Sequence, residues 1–567
     1  MKWWTRVVLL CVTAVLADEE WLEVTIEQGV VRGRRHPSGH LYAFYNIPYA
    51  TGPEGVNKFK PPLPPQPWSE PLNATEDKII LCPQNNLIDS LVANGEMKED
   101  CLIANVFVPD TTEKNLSVLV VVHGGAFIIG FGNYYQGTEL MKSKDFIMVT
   151  FNYRIGIHGF LCLGTEDVPG NAGMKDQLEL LRWVKKNIAS FGGNPNDVTL
   201  EGYSAGSASV DLLMLSKEAE GLFHRVIPES GGNLAAFAVQ RDPLEIAKTY
   251  AKELNFTNSD DIKSLEQFYK TTSMNVLTSD LFLYRPDSTF LFSPCIERNT
   301  SGAFLTESPL SILKKGDYKK LPMLYGFTNM EGLLRIVNFE SWKRMMNENF
   351  SDFLPADLKF ESDKFYFDDN AVSNNNILKY VDFFTDVIFA HPVLWAAKLQ
   401  VEAGNNQVYL YEYSFADEDV PPVPHTDVRG AEHCAQSHAW LDNPDGRNES
   451  LSSLEYQKMR KTVREIWHNF IKTGRPVPEG SSLPMWPPVR VDRAPHMVLD
   501  EKLELREVLL EERTRFWEDI YEKHYRDAVP PNTASVLIPK TLLNLLALYM
   551  VYFCCRYNNK YSRHNGP

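Results

Sequence analysis

Ser204 lies in Gly202-Tyr203-Ser204-Ala205-Gly206, which closes an apolar run, Val198 to Leu200, and opens a stretch that reads as a helix. A serine hydroxyl is presented as a nucleophile when a sharp strand-to-helix turn lifts it into a cleft, and flanking glycines leave room for that turn. The chemistry it supports is acyl transfer. That chemistry needs a base for the hydroxyl proton, an acid to orient the base, and amide donors for the oxyanion. The pentapeptide alone carries little weight; its place between a strand and a helix carries more.

Each remaining part has a candidate. His123-Gly124-Gly125-Ala126-Phe127 directly follows the apolar run Val118 to Val122, where a glycine-rich loop can turn main-chain amides into the cleft, and the amide of Ala205 would add a further donor. In the chain order serine, acid, histidine, the acid follows a later strand. Leu321 to Tyr325 runs into Gly326-Phe327-Thr328-Asn329-Met330-Glu331-Gly332, which makes Glu331 the candidate. By default one carboxylate among 73 acidic residues is a solvated surface group, so it is placement that selects it. The base falls past the run Val408 to Tyr411, in Gly430-Ala431-Glu432-His433, with His425 and His438 as rivals.

The elements that must position these residues follow from periodicity. Met174, Leu178, Leu181, Val184 and Ile188 recur at helical spacing up to Gly192-Gly193-Asn194-Pro195, so a helix precedes the Ser204 strand. Helix, loop, strand, Ser204, helix is the right-handed parallel unit of an α/β sheet, in which ligands sit beyond the carboxyl ends of the strands. The runs 118–122, 146–150, 198–200, 321–325 and 408–411 are expected to be buried central strands. Leu22 to Ile26 and Gly29 to Gly33 predict an antiparallel hairpin, and Lys60 to Pro65 a proline-rich surface connection. Lys248 to Asp287 reads as helices, with an insertion toward Phe383 forming a cap. Phe282 to Tyr284 there suit either hydrophobic ester groups or ordinary core.

Composition sets the outer bounds. With 567 residues, 44% hydrophobic and 23% charged, the chain is globular, and one large open sheet with insertions can carry that length. A net charge of -16 argues against nucleic acid or anionic lipid as a partner. Residues 1–17, with Lys2 and Arg6 ahead of Val7 to Leu16 and a small residue at Ala17, read as a secretory signal peptide. Asn73, Asn115, Asn255, Asn299, Asn349 and Asn448 head glycosylation sequons that fit the same route. The main domain is expected over 18–528, followed by a tail, 529–567. In it, Thr541 to Cys555 has only Asn544 as a strongly polar residue and is followed by Arg556, Lys560 and Arg563. As a helix the segment spans about 22 Å against a hydrocarbon core of about 30 Å. Three readings stay open: a single-pass membrane anchor extended back past Lys540, a packed or frayed tail on a secreted chain, and lipid anchoring at Cys554-Cys555.

Of eight cysteines, Cys11 lies in the leader and Cys554 and Cys555 in the tail. Cys82 and Cys101 enclose a short polar loop and form the natural bridge in an oxidising compartment, worth about 3 kcal/mol. Cys162, Cys295 and Cys434 are expected to be buried thiols. No spacing resembles a zinc site, and neither metal nor cofactor is expected.

These residues resemble a family. Asn46-Ile47-Pro48-Tyr49-Ala50, Pro61-Pro62 with Trp68, Glu99-Asp100-Cys101-Leu102, His123-Gly124-Gly125, Asn152-Tyr153-Arg154, Asn171 to Gln177, Phe191-Gly192-Gly193, the Ser204 pentapeptide and Ser230-Gly231 together look like type-B carboxylesterases, the group that includes cholinesterases. Tyr325 to Gly332 looks most like insect members. The resemblance implies an α/β-hydrolase fold, a central mostly parallel sheet flanked by helices with a helical cap. It implies a triad of Ser204, Glu331 and His433 with oxyanion donors Gly125, Ala126 and Ala205, hydrolysing small-molecule carboxylic esters through an acyl-enzyme. Departures narrow the substrate. Residues 83–100 lack the tryptophan with which cholinesterases bind choline, so a choline ester is not expected. Tyr203 stands where the family commonly has glutamate and insect juvenile hormone esterases glutamine. The family's second disulfide has no cysteine between Cys162 and Cys295 to form it, and Cys434-Ala435-Gln436 lacks the acidic residue common after the histidine. The fold also hosts adhesion proteins that have lost catalysis. Their mark is a broken triad, and all three members stand here. A slow-turnover protein that sequesters esters would share every one of these residues.

Overall fold

The computed structural model describes residues 20–85, 95–134, 137–278, 292–340, 364–368, 370–442 and 452–531, which belong to one compact unit closing at Pro531. The expected leader 1–17, the sequons at Asn349 and Asn448, Phe282 to Tyr284 and the segment 541–555 lie outside the described residues.

The strands are β1 (Trp21–Ile26), β2 (Gly29–Arg35), β3 (Leu41–Pro48), β4 (Leu72–Asn73), β5 (Ile80–Leu81), β6 (Glu96–Met97), β7 (Ile103–Pro109), β8 (Leu116–Val122), β9 (Phe146–Phe151), β10 (Gly193–Tyr203), β11 (Arg225–Glu229), β12 (Met323–Thr328), β13 (Val408–Tyr413), β14 (His496–Leu499) and β15 (Glu504–Arg506). All but β5 and β6 join one 13-stranded sheet in the order β1-β2-β3-β7-β9-β8-β10-β11-β12-β13-β14-β15, with β4 beside β2. From β9 to β14 every pairing is parallel, while the strands at both margins pair antiparallel except for the short β4, which runs parallel to β2. The expected hairpin forms, with Trp21 opposite Arg34. The runs 118–122, 146–150, 198–200 and 408–411 lie in β8, β9, β10 and β13, whereas the run 321–325 is displaced, its strand β12 starting at Met323 and reaching Thr328. β10 is longer than its apolar stretch because its first residues pair again with β8 after a shift in register.

Both faces of the parallel block are covered, which is why β8, β9, β12 and β13 are buried at every position instead of alternating. One core holds Val118, Val120, Val122 and the apolar stripe of α1 (Ala172–Asn187), together with α2 (Ala205–Leu215). The other holds Leu119, Val121, Tyr411 and the Trp467 face of the helix Leu454–Thr473. Beyond α2 come α3 (Pro243–Glu253) and α4 (Ile262–Thr271), in the stretch expected to be helical, then α5 (Pro309–Lys315), α6 (Ile377–Phe384), α7 (His391–Glu402), α8 (Ala435–Trp440), α9 (Leu454–Thr473) and α10 (Glu511–His524). A wider, π-type turn, Thr385–Ala390, joins α6 to α7.

Cys82 and Cys101 are bridged, with Cα atoms 5.1 Å apart. The expectation that Cys162 and Cys295 are thiols is corrected: they are bonded to each other across 133 residues, Cα to Cα 6.7 Å. The pair is assembled by tertiary contact. Asn171, just before α1, donates its side-chain amide to the Cys295 carbonyl and accepts from the Cys295 amide, both at 2.8 Å, and a Cβ at Gly170 would come 2.6 Å from Cys295 Sγ. Cys434 is a buried free thiol.

Candidate active site

Strand order places the crevice. From β8 the chain goes to β9 on one side and returns across to β10 on the other, so the carboxyl ends of β8 and β10 flank a switch point. Ser204 follows β10 directly, at φ 57° and ψ −122°, a conformation unfavourable to any residue with a Cβ. Its amide donates to the Glu229 carbonyl at 2.8 Å and its carbonyl accepts from Ala208 at 3.2 Å. The flanking glycines are steric necessities: a Cβ on Gly202 would lie 2.3 Å from the Gly206 carbonyl oxygen, and one on Gly206 only 2.1 Å from that of Val122. The start of α2 is thereby pressed against the end of β8.

The loop leaving β8 passes through positive φ at Gly125 (103°), Ala126 (56°) and Phe127 (60°). The amides of Ile128 and Ile129 both donate to the Gly125 carbonyl at 3.0 Å, and those of Gly130 and Gly132 go to Gln84 and Asn152 side chains. Among the described residues no acceptor takes the amides of Gly125, Ala126 or Ala205. His123 belongs to the scaffold. It stacks on Tyr153 at 4.3 Å, its Nδ1 donates to the Gly124 carbonyl at 2.8 Å, and burial pushes it down to about 4, so it stays neutral.

Glu331 opens the 3-10 helix Glu331–Asn338 that follows β12 and is fully buried. One oxygen accepts from the Thr328 amide at 2.9 Å, and the other lies 2.5 Å from His433 Nδ1. His433 Nε2 is 2.9 Å from Ser204 Oγ. With Nδ1–H donating to the carboxylate, Nε2 is left as acceptor for the serine hydroxyl. The two loops are clipped together by the Met330 amide on the Ala431 carbonyl at 3.2 Å and the Ala431 amide on Asn329 Oδ1 at 2.9 Å. Of the rival histidines, His425 is exposed and His438 lies within α8; neither has a hydrogen bond to Ser204.

Sequence reasoning missed Phe389, on the π-type turn, whose ring packs on the His433 imidazole at 4.6 Å and on Phe237 at 5.8 Å. A helix with one extra residue per turn shifts the register of its side chains and leaves no mark in an apolar pattern. It also missed Glu229 and Glu201, fully buried acids on the strands that meet at Ser204. Among the described residues no group of three or more histidine, cysteine or carboxylate side chains could hold a metal ion.

The parallel block, the strained serine after its strand and the acid and histidine on later loops define the α/β-hydrolase class. Residues 20–517 match the model of the carboxylesterase family. A juvenile hormone esterase from Heliothis virescens is 30% identical over 82% of this chain and 87% of its own length, and a cholinesterase from Mus musculus 31% over 89% and 88%. The crystal structure of the juvenile hormone esterase from Manduca sexta, with OTFP covalently attached, superimposes with a TM-score of 0.78 at 29% identity, covering 89% of this chain and all of that one. The chain belongs to the carboxylesterase family and is a carboxylic ester hydrolase.

Proposed function

We propose that this enzyme cleaves uncharged, hydrophobic carboxylic esters by a serine mechanism, with Ser204 as nucleophile, His433 as base and Glu331 as the acid that orients it. The observation carrying this reading is the continuous hydrogen-bond chain from Ser204 Oγ through both nitrogens of His433 to Glu331. His433 Nε2 takes the hydroxyl proton as Oγ attacks the ester carbonyl. The carbonyl π electrons move onto oxygen, and the amides of Gly125, Ala126 and Ala205 hold the charge; losing one such donor typically costs about 3–4 kcal/mol. Collapse expels the alcohol, which receives the proton from His433 Nε2. Water then attacks the acyl-enzyme with His433 again as base, releasing acid and free serine. Glu331 holds the tautomer throughout. Phe389 against the imidazole, with Phe237 packed behind it, favours apolar ester groups, and the absence of tryptophan from 83–100 argues against a quaternary ammonium.

A secretory, extracellular setting is part of the proposal. Asn73, Asn115, Asn255 and Asn299 are exposed at the head of their sequons, and two disulfides fit an oxidising compartment. Among the described residues no helix is long and apolar enough to cross a membrane.

A series of p-nitrophenyl esters from acetate upward, with acetylcholine alongside, tests the reading. Turnover that rises with acyl length, is weak on the choline ester and is lost in Ser204→Ala supports it. Turnover retained in Ser204→Ala, or strongest on the choline ester, overturns it.

A further inference from the structure

Glu229 touches both halves of the site. Its main-chain carbonyl accepts from the amide of Ser204 at 2.8 Å. Its carboxylate accepts from three donors: the Ser437 hydroxyl, Trp440 Nε1 at 3.0 Å and Trp467 Nε1 at 2.5 Å. Ser437 and Trp440 lie on α8, the helix that starts two residues after His433, and Trp467 on α9 behind it. The next residue adds a further tie, with Gln436 Nε2 donating to Ser230 Oγ at 2.7 Å. Arg460 and Arg464 of α9 donate to the carbonyls of Leu441 and Trp440 at the far end of α8.

A second acid shares this face. β10 and β11 run parallel with Glu201 beside Ile227 and Tyr203 beside Glu229, so residues 201, 203, 227 and 229 point to the same side, into the core of Tyr411, Trp440 and Trp467. Glu201 is fully buried, and neither of its oxygens has a hydrogen-bond partner among the described residues. A buried carboxyl without a donor keeps its proton, whereas one with three donors is the better site for a charge.

We propose that Glu229 is a positioning residue for ester hydrolysis: its carbonyl fixes the nucleophile's amide while its carboxylate fixes the helix that follows the base, so the charge on this one side chain sets the approach of His433 to Ser204. Ser204 and His433 must be the nucleophile and base proposed above for this to hold. The titratable groups gathered around Glu229 are Glu201 on β10, Tyr411 on β13 and Cys434 at the start of α8, with Glu331 acting on the last two. Burial pushes Glu201, Tyr411 and Cys434 well above their ordinary ranges, which keeps them neutral. Burial also pushes Glu229 up, to about 7, against the pull of its three donors. Its charge therefore forms near neutral pH, and the bonds that tension α8 strengthen as it forms.

The test compares wild type, Glu229→Gln, Ser437→Ala and Ser204→Ala on p-nitrophenyl butyrate from pH 5.5 to 9, with thermal unfolding as a check on folding. Glu229→Gln should lower kcat by about tenfold to a hundredfold above pH 7.5, the scale of a misplacement near 1 Å, with KM little changed. Its deficit should shrink toward pH 5.5, where wild type is also uncharged at this position. Ser437→Ala removes one donor to the anion, so its acid limb should move to higher pH. A deficit in Glu229→Gln that is absent or constant with pH, or a Ser437→Ala limb that superimposes on wild type, overturns the role of Glu229. Full turnover in Ser204→Ala instead overturns the reading of the site itself.

Discussion

The amide of Met330 donates to the carbonyl of Ala431 at 3.2 Å, splicing the loop of Glu331 to the loop of His433 within two residues of the side chains that meet. Asn329 doubles the splice by accepting from the Ala431 amide. Geometry at His433 is thus held from its flanks as well as through its own ring.

Asn329→Ala removes one of these two clips without touching any reacting group. It should lower kcat by about tenfold while leaving KM close to wild type. Glu331→Gln keeps the shape but loses the charge, and with its one remaining oxygen on the Thr328 amide it turns an NH2 donor toward Nδ1, so it should cost about 10³-fold or more in kcat. Steady-state kinetics on one p-nitrophenyl ester measures both, and an Asn329→Ala enzyme slower than Glu331→Gln would contradict the ordering.

Asp211 links stability to pH. It accepts from the Tyr325 hydroxyl at 2.7 Å and the Asn233 amide at 2.8 Å, both on one oxygen, and burial pushes it up from 3.8 to about 6. Between those values the fold holds a proton that the unfolded chain has released, so this residue's contribution is favourable at low pH and is lost as pH rises through about 6. Asp211→Asn keeps the accepting oxygen and cannot ionise. Its unfolding free energy relative to wild type should therefore grow by about 3 kcal/mol from acid to neutral pH. Urea denaturation across that range reads the difference, and a pH-independent gap would contradict the assignment.

The Cys162–Cys295 bridge closes a loop of 133 residues. Replacing both cysteines with serine should cost about 2–5 kcal/mol of unfolding free energy and lower the midpoint of thermal unfolding. A reductant that opens the bridge should bring wild type toward the variant. Denaturation curves that coincide with and without the bridge would contradict a stabilising role.

Arg154 and Asp176 form a fully buried pair, Nη2 to Oδ1 at 2.6 Å, with the guanidinium also donating to the carbonyls of Lys58 and Lys60. Asp176→Ala leaves that cation buried without its partner and should cost about 3–5 kcal/mol. Denaturant titration of the variant measures it, and a loss below about 1 kcal/mol would place the pair with exposed ones.

The parallel block was legible because burial on both faces writes itself as unbroken runs such as Val118 to Val122, and the Ser204 turn because its steric demand admits only glycine at 202 and 206. Local signals end there. His433 could be separated from His425 and His438 only through resemblance, since one histidine carries no periodicity. The Cys162–Cys295 pairing depends on Asn171 and Gly170 meeting a segment more than 120 residues away. Phe389 depends on a π-type turn, and the placing of Glu201 and Glu229 on one face on the register of two strands. Such facts arise from how elements meet, so no window along the chain contains them.

The most direct test of the central claim is where a covalent probe lands. Protein treated with diisopropyl fluorophosphate should gain one phosphoryl group, on the peptide carrying Ser204, with loss of ester hydrolysis in proportion to labelling. Label on another residue, or hydrolysis that survives full modification of Ser204, would contradict the account.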